Sequence, residues 1–579
     1  MRTATSAPET RRPRGSALML TIIMTSIALA TVGGVLSYSA SNARLNYRTN
    51  QYHRAVAAAE GDTEKVITMI TRDFLSGGEA MVNANLNAYR QTTLTGSDSP
   101  YWSDWAFSDA GGNTNRTFVQ PGVSSYYVLQ NSSYAGLNAF VSPFTIISNA
   151  RETPTPQDVT GGVYQQIQLT RIPIFQFAMY TTGDMEISCG QPFSITGPVH
   201  SNGQLYVEPD NVMIFESAVT AVGSILFPQR SPLDNRKTPT GSVAYDSVHK
   251  PNQPALSLPI GVTNTPDAVR QIIEPPPPFE DPTSPLGRER YYNLSDMVVV
   301  VTTNGVTGTS GEFNSFSTII PTNELKGFVT TTNRFYDARE SKTIWPIDVN
   351  IGALAAWSAT NSNVRVALGS RAVSSIYVLD RRTMIGTNLG AVRVVNGLKL
   401  PPLGLTVATG SPLYVFGNYN QTNAANLGTS NTTTTLPASL VADAVTILST
   451  NWSDANSQAL VGSRNAKPTT VNAAILAGAV ETAGGNYGGG MENFPRFLET
   501  WGLANAFTYN GSMVKMFPSL YATNMWGKAN VYSPPKRDWA FDANFTTPAK
   551  LPPLTPSLES VIRGQWATLA PNQTAPPAN

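Results

Sequence analysis

The sequence predicts an α+β protein, with a long N-terminal α-helix followed by a large, mainly β region. Two observations lead there. No charged residue occurs from Gly15 to Ala43, and helix-compatible sequence continues to about Gln91. Beyond that point short runs rich in Val, Ile and Tyr alternate with Gly, Asn, Asp and Pro, the pattern of strands and turns. Composition agrees: only 13% of the 579 residues are charged, so the polar surface must come from Thr, Asn, Ser and Gly, which suit exposed strands and turns.

The apolar part of the helix runs from Ala17 to about Tyr38. A helix needs about 20 such residues to cross a bilayer. The anchor residues are Ala17, Leu18, Leu20, Ile22, Ile23, Ile27, Leu29, Val32, Val35 and Leu36. Arg2, Arg11, Arg12 and Arg14 precede them, so the positive-inside bias keeps the N-terminus cytoplasmic and sends the remainder across. A cleaved secretory signal has a shorter apolar core of about 7–15 residues. Helical spacing persists through Val66, Ile67, Met69, Ile70 and Phe74, and Gly77-Gly78 is the expected break.

The β region is expected to be β-solenoid-like, with short strands stacking rung on rung over small apolar residues, although no exact repeat period stands out. A β-sandwich with long insertions is the alternative. The phrases Phe193 to Val207 and Leu405 to Gly417 carry the pattern. Four consecutive prolines after Glu274 enforce extended backbone, so a boundary is expected there. The expected segments are a basic leader at 1–15, the helix at 16–92, a first β-rich region at 93–274, a Pro-rich linker at 275–285, a second β-rich region at 286–569 and a disordered tail at 570–579. Aromatic residues crowd 494–541 and are expected to cap the end of the β region, or to offer a platform for a glycan or partner.

Little in the chain points to catalysis. His53, His200 and His249 have no second His or Cys at metal-ligand spacing. The lone Cys189 has no His or acid beside it and reads as a small buried residue. Ser512 and Lys515 follow an Asn-Gly turn, and on a strand they face opposite sides. Pro534 and Pro535 deny Ser533 and Lys536 the helix that such a pair needs. The acid pairs Glu208/Asp210 and Glu280/Asp281 fit surface loops. With a net charge of +1 there is no basic field for nucleic acid. No cofactor, metal or catalytic residue is assigned, and the chain is not expected to be an enzyme.

The segment Arg14-Gly15-Ser16-Ala17-Leu18, with Ala58-Ala59-Glu60 further along, resembles the PilX-like minor pilin family of type IV pilus assembly over roughly the first 90 residues. The resemblance implies a class III prepilin signal processed at Arg14, Gly15 and Ser16, with cleavage after Gly15. It implies a structural subunit of a type IV pilus or type II secretion-like assembly, single-pass in the bacterial inner membrane before assembly, with its C-terminal domain periplasmic or extracellular. Its partners would be other pilin-like subunits and the assembly machinery, with a surface glycan as a further candidate. Major pilins carry Glu at the fifth mature position; here Leu20 stands there, and several minor pilins that cap a fibre also lack this Glu. The alternatives are an uncleaved signal-anchored adhesin or glycan-binding β-helix, and a membrane-tethered carbohydrate-active enzyme.

Overall fold

A computed structural model describes residues 16–130, 135–153, 155, 158–258, 263, 265–526, 531–570 and 573. It shows a long N-terminal helix followed by a large β-rich region of several sheets. The chain divides into two compact units: residues 1–124, 141–170 and 559–579 form the first, and 125–140 with 171–558 form the second.

In the first unit α1 spans Ser16–Ala84 and α2 spans Leu86–Arg90. The expected break is present: Gly77 and Gly78 leave helical geometry, Gly78 at φ +64°, a conformation that costs a residue with a Cβ but not glycine. Upstream, Ala55, Ala58, Ala59, Asp62, Val66, Ile67, Ile70 and Phe74 recur at three- and four-residue spacing and are all buried. They face a sheet whose strands are β1 (Trp105–Ser108), β2 (Phe118–Pro121), β3 (Asn138–Glu152), β4 (Thr160–Pro173) and β5 (Ser557–Leu569). The order is β1-β3-β4-β5, with β2 also on β3, and both β1 and β2 run antiparallel to β3. Small side chains at Ala55, Ala58 and Ala59 admit the sheet closely. A Cβ on Gly161 of β4 would lie 2.6 Å from the backbone nitrogen of Val56. Val66, Ile67, Ile70 and Phe74 share one core with Phe144, Ile146, Ile167 and Leu169, each worth about 1.5–3 kcal/mol when fully buried.

The second unit is built mainly from parallel strands stacked in register. One sheet carries an unbroken line of partners: His249, Val219, Val199, Met179, Met513, Ile475, Leu440, Val407, Ile376 and Met297. A second runs Val349, Val394, Val415, Ile447 and Phe497. A third runs Val471, Tyr509, Trp539, Ile195, Phe215 and Tyr245. Because parallel in-register pairing sets like-facing side chains above one another, these lines, apart from the exposed His249 and the half-buried Tyr245 at their ends, fill one continuous core. At one end the first sheet finishes in antiparallel strands, Gly305–Ser310 and Thr318–Ile320.

Several sequence expectations need correction. An exact period does exist: Met179, Val199 and Val219 are partners, as are Met185, Leu205 and Ile225, each twenty residues on from the last. The expected boundary at the proline run does not separate two β regions. The strands Met179–Thr181 and Phe193–Thr196 before it pair with Met513–Pro518 and Ser533–Phe541 after it, inside one unit. The buried Arg290 ties the run down, pairing with Glu280 (2.8 Å) and donating to the Glu274 carbonyl (3.2 Å). Nor does the segment 286–569 stay together, since 559–569 belongs to the first unit. Of the aromatic residues, Phe497, Phe507, Tyr509 and Trp539 lie in the core where the latest strands of this unit meet its earliest. Most of the expected tail lies outside the described residues.

Candidate functional site

The anchor segment is the first candidate. Arg14 and Gly15 lie outside the described residues, and Ser16 opens α1. Ala17, Leu18, Leu20, Ile22, Ile23, Ile27, Leu29, Val32, Val35 and Leu36 are all exposed, with Leu18 at 69% and Ile23 at 51%. This stretch of α1 is long and apolar enough to cross a membrane, and none of it is buried in the protein. One helix thus carries two different segments in sequence: an apolar one that no described residue covers, then one buried against a sheet.

The buried segment holds a polar hub. Asp62 is fully buried and accepts hydrogen bonds from the Leu94 amide (2.6 Å), the Thr117 hydroxyl (2.9 Å) and the Ser148 hydroxyl (2.6 Å). Burial raises its carboxyl above the ordinary value, and the three donors only partly offset that. Its neighbour Glu64 is ion-paired with Arg563 of β5 (2.7 Å) and accepts from Gln165 of β4 (3.0 Å), and that pairing holds it below the ordinary carboxyl value. Asp73 accepts from Tyr89 (2.7 Å) and Asn85 (2.9 Å), fastening α2 across the glycine break. These contacts locate β5 and α2 on the helix; none is arranged to do chemistry.

In the second unit one group of buried charges forms where residues near 185–236 meet residues near 480–540. Glu208, expected on a surface loop, is fully buried and bonded by Arg230 (2.7 Å) and Arg236 (3.2 Å). Burial, with Glu186 nearby, pushes its carboxyl up to about 7 against the pull of both arginines. Asp234 forks onto Arg236 (2.7 and 2.9 Å), whose guanidinium lies 3.5 Å from the Tyr487 ring centroid. Burial likewise raises Glu186 and Glu492. Glu492 accepts from Tyr487 (2.5 Å) and the Ser188 amide (3.0 Å).

Beside this network lies a cleft of about 240 Å³ lined by Asp184, Glu186, Glu481, Thr482 and Lys515. Its polar groups already bond one another: Lys515 pairs with Glu481 (3.0 Å), Thr482 donates to Glu186, and Asp184 accepts from the Gln204 amide (2.7 Å). Lys515 is thus already engaged by Glu481.

The remaining sequence candidates are separated. Ser512 is buried and Lys515 turns to Glu481, so the two do not meet. Ser533 accepts from the Trp501 amide (3.1 Å) while Lys536 pairs with Asp538 (3.0 Å). His200 lies on a strand, its ring nitrogens 2.7 Å from Thr220 and 2.9 Å from Asn202, and burial lowers its basicity. Cys189 is buried and its thiol is pushed up to about 12, chiefly by burial. Among the described residues no group of three His, Cys, Asp or Glu side chains could hold a metal ion. Sequence reasoning missed the Glu208–Arg230–Arg236–Asp234 network, because its members meet only through folding. The one local hint was the close spacing of Arg230, Asp234 and Arg236.

No family model and no curated relative matches the chain. Among solved structures it is similar to the competence-associated pilin ComZ from Thermus thermophilus, at 10% identity over 90% of this chain and 97% of that one. The TM-score is 0.29, at which the two share no established fold.

Proposed function

We propose that this chain is a membrane-anchored, minor-pilin-like subunit of a type IV pilus or type II secretion-like assembly, with a structural rather than catalytic role. One observation carries the proposal: α1 is apolar and uncovered along its first part and packed on a sheet along its second. Such a helix can rest in the inner membrane, N-terminus cytoplasmic, and later pack against the helices of neighbouring subunits without disturbing the unit it carries. Ala17 to Leu36 supply the anchor, and Arg14, Gly15 and Ser16 the processing site. The second unit, read as a β-solenoid, is the bulk displayed outside. Leu20, where a charged fifth residue would receive a neighbour's amine, suits a subunit at a fibre tip.

The test is the mature N-terminus of the native protein, purified from cells with active prepilin peptidase. A start at Ser16, N-methylated, is expected. An intact Met1 leader in those cells overturns the pilin reading and leaves a signal-anchored surface protein.

A further inference from the structure

Helix α1 remains uncovered well past its apolar part. Every residue from Ser16 to Asn50 is exposed except the half-buried Asn42, and Gln51 is the first buried one. Tyr38 closes the apolar stretch, so about 18 Å of bare helix follow it before packing begins. Arg44 and Arg48 stand on this segment, and no acidic residue occurs from Ser16 to Ala59. Among the described residues neither arginine forms an ion pair or a side-chain hydrogen bond. The next arginine along the helix, Arg54, does: it pairs with Glu152 of β3 at 2.5 Å.

We propose that Arg44 and Arg48 bind the phosphate of an anionic phospholipid in the leaflet nearer the folded units. This rests on the membrane-anchored reading above and adds a ligand to it. Three observations select that ligand. The first is depth. At about 1.5 Å per residue, Ser16 and Arg44 lie about 42 Å apart along the helix axis. A bilayer with its headgroups measures about 40–45 Å across. With the Ser16 end in one headgroup layer, Arg44 reaches the other, and Arg48 follows about 6 Å further on. Tyr38, 71% exposed, and Tyr47, 46% exposed, flank that level, where tyrosine concentrates in membrane proteins. The second is direction. Arg44, Tyr47 and Arg48 stand three and four residues apart and so share one face of the helix. Two like charges at that spacing weaken a helix, and no acidic group among the described residues offsets them. A phosphate between the two guanidinium groups does, through charge-assisted hydrogen bonds to its oxygens. The third is the sign of the patch. It is wholly positive, so it repels the cation that a zwitterionic headgroup carries and accepts a headgroup without one. An acidic side chain on a neighbouring subunit would reach the pair only after assembly, whereas lipid surrounds it as soon as the helix inserts.

The full chain is reconstituted into phosphatidylcholine vesicles holding a trace of phosphatidylglycerol or phosphatidylcholine spin-labelled on the acyl chain. Flotation reports anchoring, and the immobilised fraction of each label reports its relative affinity for the protein. Co-flotation and a preference of about threefold or more for phosphatidylglycerol are expected. Arg44→Gln with Arg48→Gln should bring the preference below about 1.5-fold in protein that still floats. Replacing Arg2, Arg11, Arg12 and Arg14 together by Gln leaves this pair intact and should keep the preference above about twofold. Inorganic phosphate should lower it no more than sodium chloride of equal ionic strength does. Protein that fails to float overturns the anchored reading and this inference together. Four outcomes overturn this inference alone: floating protein without a preference, a preference that survives in the double variant, one that vanishes with the leader arginines, or one that inorganic phosphate specifically abolishes.

Discussion

Replacing Asp62 with Ala tests the claim that this buried carboxylate holds helix α1 to its sheet. The substitution removes the acceptor for three donors. Thr117 keeps an alternative, because its hydroxyl also reaches the Thr92 carbonyl at 2.7 Å. The Leu94 amide and the Ser148 hydroxyl are left without that acceptor. Each buried orphan costs about 1–3 kcal/mol. The gross loss is therefore roughly 2–6 kcal/mol, and it is reduced because a desolvated carboxylate is deleted at the same time. A net loss of about 3 kcal/mol is expected, roughly a hundredfold in local opening. Hydrogen exchange read by mass spectrometry on peptides covering 57–66, 91–96 and 144–152 measures it directly. Asp62→Asn keeps an acceptor for the Leu94 amide and should lose less. It should also remove a pH slope. The folded carboxyl titrates above the unfolded value of 3.8, so the stability linked to it is complete below that value and is lost as pH rises through the raised one. Unchanged exchange in all three peptides of Asp62→Ala would falsify the hub.

Two further outcomes are expected in the second unit. Gly197 sits at φ +108°, and a Cβ there would lie 2.2 Å from Cβ of Phe541, so Gly197→Ala should cost more than about 2 kcal/mol in thermal unfolding. Gly183→Ala meets nothing within 4 Å and should stay within about 0.5 kcal/mol of wild type. Glu208 titrates near 7 in the fold, above its ordinary 4.5, so its contribution is complete below the lower value and is lost as pH rises through the upper. Denaturant unfolding should show the second unit losing about 2.5 kcal/mol between pH 5 and pH 8, and Glu208→Gln should flatten that slope.

Residues 16–90 were legible because their signals are local. A run without charge, apolar residues at helical spacing and a glycine pair each act within a few residues, and α1 follows them to its break. The short strands were legible as strands for the same reason. Their arrangement was harder to see. The twenty-residue period shows as Thr181-Thr-Gly183-Asp-Met185, Ser201-Asn-Gly203-Gln-Leu205 and Ala221-Val-Gly223-Ser-Ile225, where only the glycine recurs unchanged. A stacked core asks for an apolar side chain at each level and not for a particular one, so identity drifts while the register holds. Among Ile376, Val407, Leu440, Ile475 and Met513 the spacing is uneven, because loops of different length leave the stack between strands. The pairing of Met179 with Met513 and the burial of Glu208 between Arg230 and Arg236 belong to long-range contact, and no local pattern announces them.

The strand Ser557–Leu569 completes the first unit's sheet beside a strand that ends near residue 173, and Met513–Pro518 closes the strand edge left open at Met179–Thr181. Both units therefore wait for strands that follow residue 512. A product released early, at any point before residue 513, leaves an incomplete sheet in one unit and an unpaired edge in the other. Each bares backbone donors and acceptors of the kind that proteases and misassembly exploit. Arrival of these two strands is thereby registered twice by the architecture, and a copy that lacks them advertises its own defect.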